Sequence, residues 1–94
     1  MAAVDTQTAL KLMKTRLNRM ANDTTLDEYF ITRLNAAMDE LEATGIRLTG
    51  STEDLLLVVD YAVWQYQNRD APGSMPEWLR LRRRERWVQQ GVQA

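Results

Sequence analysis

The chain has 94 residues, 45% of them apolar and 27% charged, with a formal net charge of −1. That composition suits a single domain with one modest core and excludes wholesale disorder or a low-complexity chain. With no Cys and no His, the chain can make no disulfide, thiolate or imidazole metal site, cysteine nucleophile or Ser-His pair.

What remains for chemistry is carboxylates, hydroxyls, two Lys and ten Arg. The longest apolar run, Leu55 to Val59, is far shorter than the roughly 20 residues that span a bilayer, so no membrane segment is expected. Met1 to Asp5 lacks the basic start and apolar core of a signal peptide, and synthesis in the cytoplasm is the expectation. Charge is unevenly spread. Residues 1 to 76 carry 7 basic and 11 acidic side chains, a net −4, whereas residues 77 to 94 carry five Arg and two Glu, a net +3.

Apolar residues recur at spacings of three and four, never alternately over a useful length, which predicts an all-α fold. A short first helix is predicted over about Thr6 to Asn18, with Ala9, Leu10, Met13 and Leu17 on one face and Asp5 or Thr6 as N-cap. Arg19 to Thr25 reads as a polar connector. The second helix opens on Thr25 and Glu28 in capping-box spacing, carries Leu26, Phe30, Leu34, Ala37 and Leu41 on its apolar face, and stops at Gly45. Ile46 and Leu48, in the loop that follows, are expected to tuck against the core.

Ser51 and Asp54 repeat the cap spacing at the start of a third helix that reaches about Asn68. Leu55, Val58, Val59, Ala62, Val63 and Tyr66 form its main stripe. Leu57, Tyr61 and Trp64 form a second stripe behind it, either core against the fourth helix or a contact between subunits. Pro72 and Gly73 break the chain, and Ser74 with Glu77 gives a third cap spacing. The fourth helix is predicted over about Pro76 to Gln90, with Trp78, Leu81 and Val88 sharing a face with Glu85 while Leu79 and Trp87 point elsewhere. The prediction is thus a small four-helix domain over residues 1 to 94, with a body over 1 to 74 and an Arg-rich helix and docking tail over 75 to 94.

Two Trp among five Arg make Trp78, Arg80, Arg82, Arg83, Arg84, Arg86 and Trp87 the strongest candidate site, because Trp and Arg dominate binding hot spots. Two Glu cannot neutralise five guanidinium groups, which points to a partner bearing carboxylates or phosphates. The adjacent carboxylates Asp39 with Glu40 and Glu53 with Asp54 diverge by about 100° on a helix and are expected to be solvated, not paired for acid/base work.

The run LDEYFITRLNAAMDELEATG, residues 26 to 45, resembles the long second helix of the head-tail connector family of tailed bacteriophages, also called adaptor or head-completion proteins. LKLMKTRL, residues 10 to 17, is similar to the family's leading helix, and TEDLLLVVDYAVWQYQNRD, residues 52 to 70, to its next one, ending on Tyr66, Arg69 and Asp70. The Pro-containing turn and the short helix to Leu81 also fit, so the resemblance covers about Leu10 to Leu81. The polar Asn18 to Asp23 connector and the Arg-dense end depart from it.

The resemblance implies a virion protein of the neck that performs no catalysis and takes no cofactor or small-molecule substrate. It would form a homo-oligomeric ring on the portal protein, extend the channel for viral DNA and present a site for the next head-completion or tail protein. It implies portal docking through Trp78 to Ala94, with Leu57, Tyr61 and Trp64 as candidates for the contact between subunits. A small nucleic-acid-binding regulator using the Arg-rich helix is the alternative.

Overall fold

The computed structural model describes residues 4–70 and 73–93 and has four helices: α1 (Thr6–Arg16), α2 (Asp27–Ala43), α3 (Thr52–Gln67) and α4 (Glu77–Gln93). The all-α prediction holds. Pro72 and Ala94 lie outside the described residues. α1, α2 and α3 pack against one another, and α4 lies on α3, so α3 is the element that every other helix touches. Its breadth of apolar residues reflects that position: Leu57, Val58, Val59, Tyr61, Ala62 and Val63 are all buried, together with Phe30, Leu34 and Leu41 of α2 and Ala9, Leu10 and Met13 of α1.

Local chemistry sets the helix ends. The Asp5 carboxylate caps α1 by accepting the Gln7 N–H at 3.2 Å and the Thr8 hydroxyl at 2.7 Å, and these bonds hold its carboxyl below the usual range. α1 closes on a Schellman turn in which Asn18 adopts φ 59°. There the Arg19 N–H donates to Lys14 O at 2.8 Å and the Asn18 N–H to Thr15 O at 3.1 Å.

α2 closes in the same way on Gly45, φ 102°, with the Ile46 N–H on Leu41 O at 3.3 Å and the Gly45 N–H on Glu42 O at 3.0 Å. Ile46 and Leu41 are both buried, the apolar contact that accompanies this motif. A Cβ on Gly45 would lie 2.9 Å from the Trp87 indole nitrogen. Gly45→Ala therefore combines a strained backbone with a collision, and a loss of about 1–2 kcal/mol in urea unfolding is expected.

α2 starts differently from the prediction. Its N-cap is Leu26, with no side-chain cap, because the Asp23 carboxylate takes the Thr25 N–H at 3.1 Å and draws Thr25 into a turn before the helix. The start is held instead by Lys14, whose ammonium is buried between Asp27 Oδ1 at 2.9 Å and Ala21 O at 3.0 Å. Ser51 caps α3 as predicted, accepting from the Asp54 N–H at 3.2 Å. At the other end of α3, Arg69 stacks on the Tyr66 ring at 4.1 Å, and Tyr66 meets Phe30 edge-on at 5.3 Å. α4 begins at Glu77, so Ser74 stands three residues ahead of it and does not cap it.

Candidate interaction surface on helix α4

α4 faces the body with its charges and faces outward with much of its apolar surface. Leu79 is fully buried, while Trp78, Leu81, Trp87 and Val88 are each 44–52% exposed. The sequence pattern places Trp78, Leu81 and Val88 on one face and Leu79 off it, and the structure keeps that division, with Leu79 inward and the other three outward. Once Leu79 turns inward, the i+3, i+7 and i+11 positions that turn in with it are Arg82, Arg86 and Gln90. The body meets them with carboxylates and backbone polar groups, with Leu57 beside Arg82 and Arg86.

Asp54 is the centre of that contact. Its side chain is fully buried and grips Arg86 with both oxygens, Arg86 Nε to Oδ1 at 2.6 Å and Nη2 to Oδ2 at 3.1 Å. Oδ2 also accepts the Thr49 N–H at 2.7 Å and the Thr49 hydroxyl at 2.9 Å. Burial alone would raise the Asp54 carboxyl, but Arg86 and Thr49 overcome it and hold the group below its ordinary value. Its bond to Asp54, opposed by desolvation, raises Arg86 in return.

The pairing extends to the α2–α3 loop. Arg86 donates to Arg47 O at 2.7 Å, and Gln90 accepts the Arg47 N–H at 2.8 Å and donates to Gly45 O. Asp60, buried midway along α3, accepts from both Arg16 of α1 and Arg82 of α4. Asp54, expected to be solvated, is the most enclosed carboxylate of the described residues, and Asp60 joins it in binding a guanidinium. Asp39 and Glu40 are exposed, as expected.

The structure thus divides the seven candidate docking residues. Arg82 and Arg86 are turned inward and bonded to Asp60 and Asp54. Trp78, Arg80, Arg84 and Trp87 are exposed and Arg83 is half-buried. Arg80 makes a loose contact with Glu77 at 3.5 Å, and among the described residues neither Arg83 nor Arg84 is in an ion pair. Arg82 also approaches the Trp78 ring, 6.0 Å from its centroid.

The three candidates for a subunit contact divide too. Leu57 and Tyr61 are buried within the chain, and of the three only Trp64 keeps exposed surface. Leu57 touches the groove formed by Arg82, Glu85 and Arg86. Burial raises the Tyr61 hydroxyl, with Glu40 adding to the effect and Arg83 opposing it. This is the core reading of the second stripe for those two residues, since a side chain already enclosed by its own fold has no area left to give a neighbour.

No family model, curated protein or solved structure matches the chain. Among the described residues no helix is long and apolar enough to cross a membrane.

Proposed function

We propose that the chain is a head-tail connector of a tailed bacteriophage, a virion structural protein that docks on the portal through the outer face of α4. The observation that carries the reading is the inverted helix. α4 is held by Asp54 and Asp60 through Arg86 and Arg82, leaving Trp78, Leu81, Trp87 and Val88 in solvent. A helix fastened by its polar side presents an unspent apolar side, and such patches mark protein interaction sites. Arg80, Arg83 and Arg84 flank that face. In this reading the protein is not an enzyme, forms a ring, lets viral DNA pass through it and receives the next neck or tail protein. Trp64, still partly exposed on α3, is the residue proposed for the contact between subunits.

The nucleic-acid alternative loses weight because two of the five Arg of the cluster are committed to internal carboxylates. Co-sedimentation with purified portal rings tests the reading. Leu81→Asp with Val88→Asp is expected to leave the chain folded and helical with a modest fall in the melting midpoint, because both positions keep 44–45% exposure, while weakening portal binding at least tenfold. Unaltered portal binding by this variant, or tight duplex binding that collapses steeply with salt, would overturn the proposal.

A further inference from the structure

Arg80, Arg83, Arg84 and Trp87 line a notch of about 290 Å³ between α4 and the end of α2, closed on its other side by Thr44 and Ile46. The missing Cβ of Gly45 lets the Trp87 indole nitrogen sit against the α2 turn, where an added Cβ would lie 2.9 Å from it. The three guanidinium groups are the ones that Asp54 and Asp60 do not take. Arg84 also borders the shallow apolar groove that Leu81, Glu85, Val88 and Gln89 line on the outside of α4, so notch and groove meet at one side chain.

We infer that this notch is a carboxylate receptor, seating an acidic side chain, or two in succession, of a partner protein whose neighbouring apolar residues cover Leu81 and Val88. Charge complementarity selects the occupant. Three cations line a space that contains no carboxylate of its own, and planar guanidinium forks match carboxylate geometry with two parallel hydrogen bonds. The Trp87 wall and the buried Ile46 lower the local polarity, which strengthens each such bond. A nucleic-acid backbone carries the same sign of charge, but a chain with a net −4 over residues 1 to 76 repels a long polyanion, whereas one short acidic segment meets only the notch. The inference rests on the docking reading for its partner, and adds the chemistry by which that partner is chosen.

The internal pairs supply their own control. In a nuclear magnetic resonance titration of the full chain with N-acetylated tetraglutamate, the side-chain Nε–H signals of Arg80, Arg83 and Arg84 and the indole N–H of Trp87 are expected to shift saturably. Those of Arg82 and Arg86 should stay in place. R83A with R84A is expected to weaken the peptide at least fivefold with the Arg82 and Arg86 signals unmoved, which shows that the fold is kept.

Equal movement of all the α4 arginines, no saturable shift, or tighter binding of oligothymidylate of equal charge at about 0.15 M salt would each overturn the receptor. Tetraglutamate binding by a chain that ignores portal rings would retain the receptor and remove the connector reading. Portal binding unaffected by R83A with R84A would do the opposite.

Discussion

Asp54→Ala is expected to destabilise the protein by about 3–5 kcal/mol, the range for removing one partner of a buried, hydrogen-bonded charge pair. The loss is large against the roughly 5–15 kcal/mol that holds a domain of this kind together. Three things go at once: the anion opposite Arg86, whose side chain is only 12% exposed, the acceptor for the Thr49 N–H and hydroxyl, and the acidic group in the first turn of α3. Thermal unfolding followed by circular dichroism should show a midpoint lowered by more than about 10 °C. A shift under about 3 °C would mean that Arg86 finds water or Glu53 instead, and that the contact is not the fastening described above.

The same carboxylate sets an acid limit. Its folded pKa lies below the unfolded value, so its contribution is fully present above about pH 5, the region where the unfolded Asp, with a pKa near 3.9, is also ionised. That contribution is lost as pH falls through the folded value. Urea midpoints measured from pH 6 down to pH 3 should fall more steeply for the natural chain than for Asp54→Asn. Parallel curves would show that another carboxylate carries the acid dependence.

Leu57→Ala is expected to cost about 2–5 kcal/mol, as for other fully enclosed leucines. Leu57 is 2% exposed and lies under α4 against Arg82 and Arg86, so truncation opens a void beside two guanidinium groups as well as removing methyl contacts. Denaturant unfolding of the isolated chain reads this directly. Trp64→Arg serves as the contrast. Trp64 meets Tyr61 edge-on with centroids 5.9 Å apart but retains exposed surface, and this variant is expected to fold with a loss below about 2 kcal/mol. Comparable losses at both positions would remove the distinction between them and leave Trp64 no role at a surface.

Helix number and order were legible because the periodic apolar residues also occupy the core. Phe30, Leu34, Ala37 and Leu41 are predicted and buried, as are Ala9, Leu10 and Met13. Caps were legible only where nothing nearby competed. Ser51 caps α3 as read, but Thr25 fails because Asp23, two residues earlier, captures its N–H. α4 was the least legible element. Its wheel separates Leu79 from Leu81 but, with only Leu79 anchoring its apolar side to the body, does not say which of the two turns inward.

The partners that decide the α4 orientation lie far off in sequence: Asp60 is 22 residues from Arg82 and Asp54 is 32 from Arg86. Spacing rules within a helix do not see such pairs. One signal was available. Asp60 interrupts LLLVVDYAVW, a helix apolar on nearly every side, and a carboxylate placed there must bring a cation with it. For the candidate site, the residue types were legible but their division was not. Which guanidinium groups are consumed internally follows from where Asp54 and Asp60 lie in space.

Because one carboxylate both receives α4 and sits in the opening turn of α3, those two stretches cannot loosen independently. Amide hydrogen exchange should therefore find the protons of Thr49 and Leu55 opening together with those around Leu79 to Arg86, as one cooperative unit. Peripheral though it looks, the last helix would share the exchange lifetime of the helix at the centre of the molecule, and its exposed face would be presented from a rigid platform.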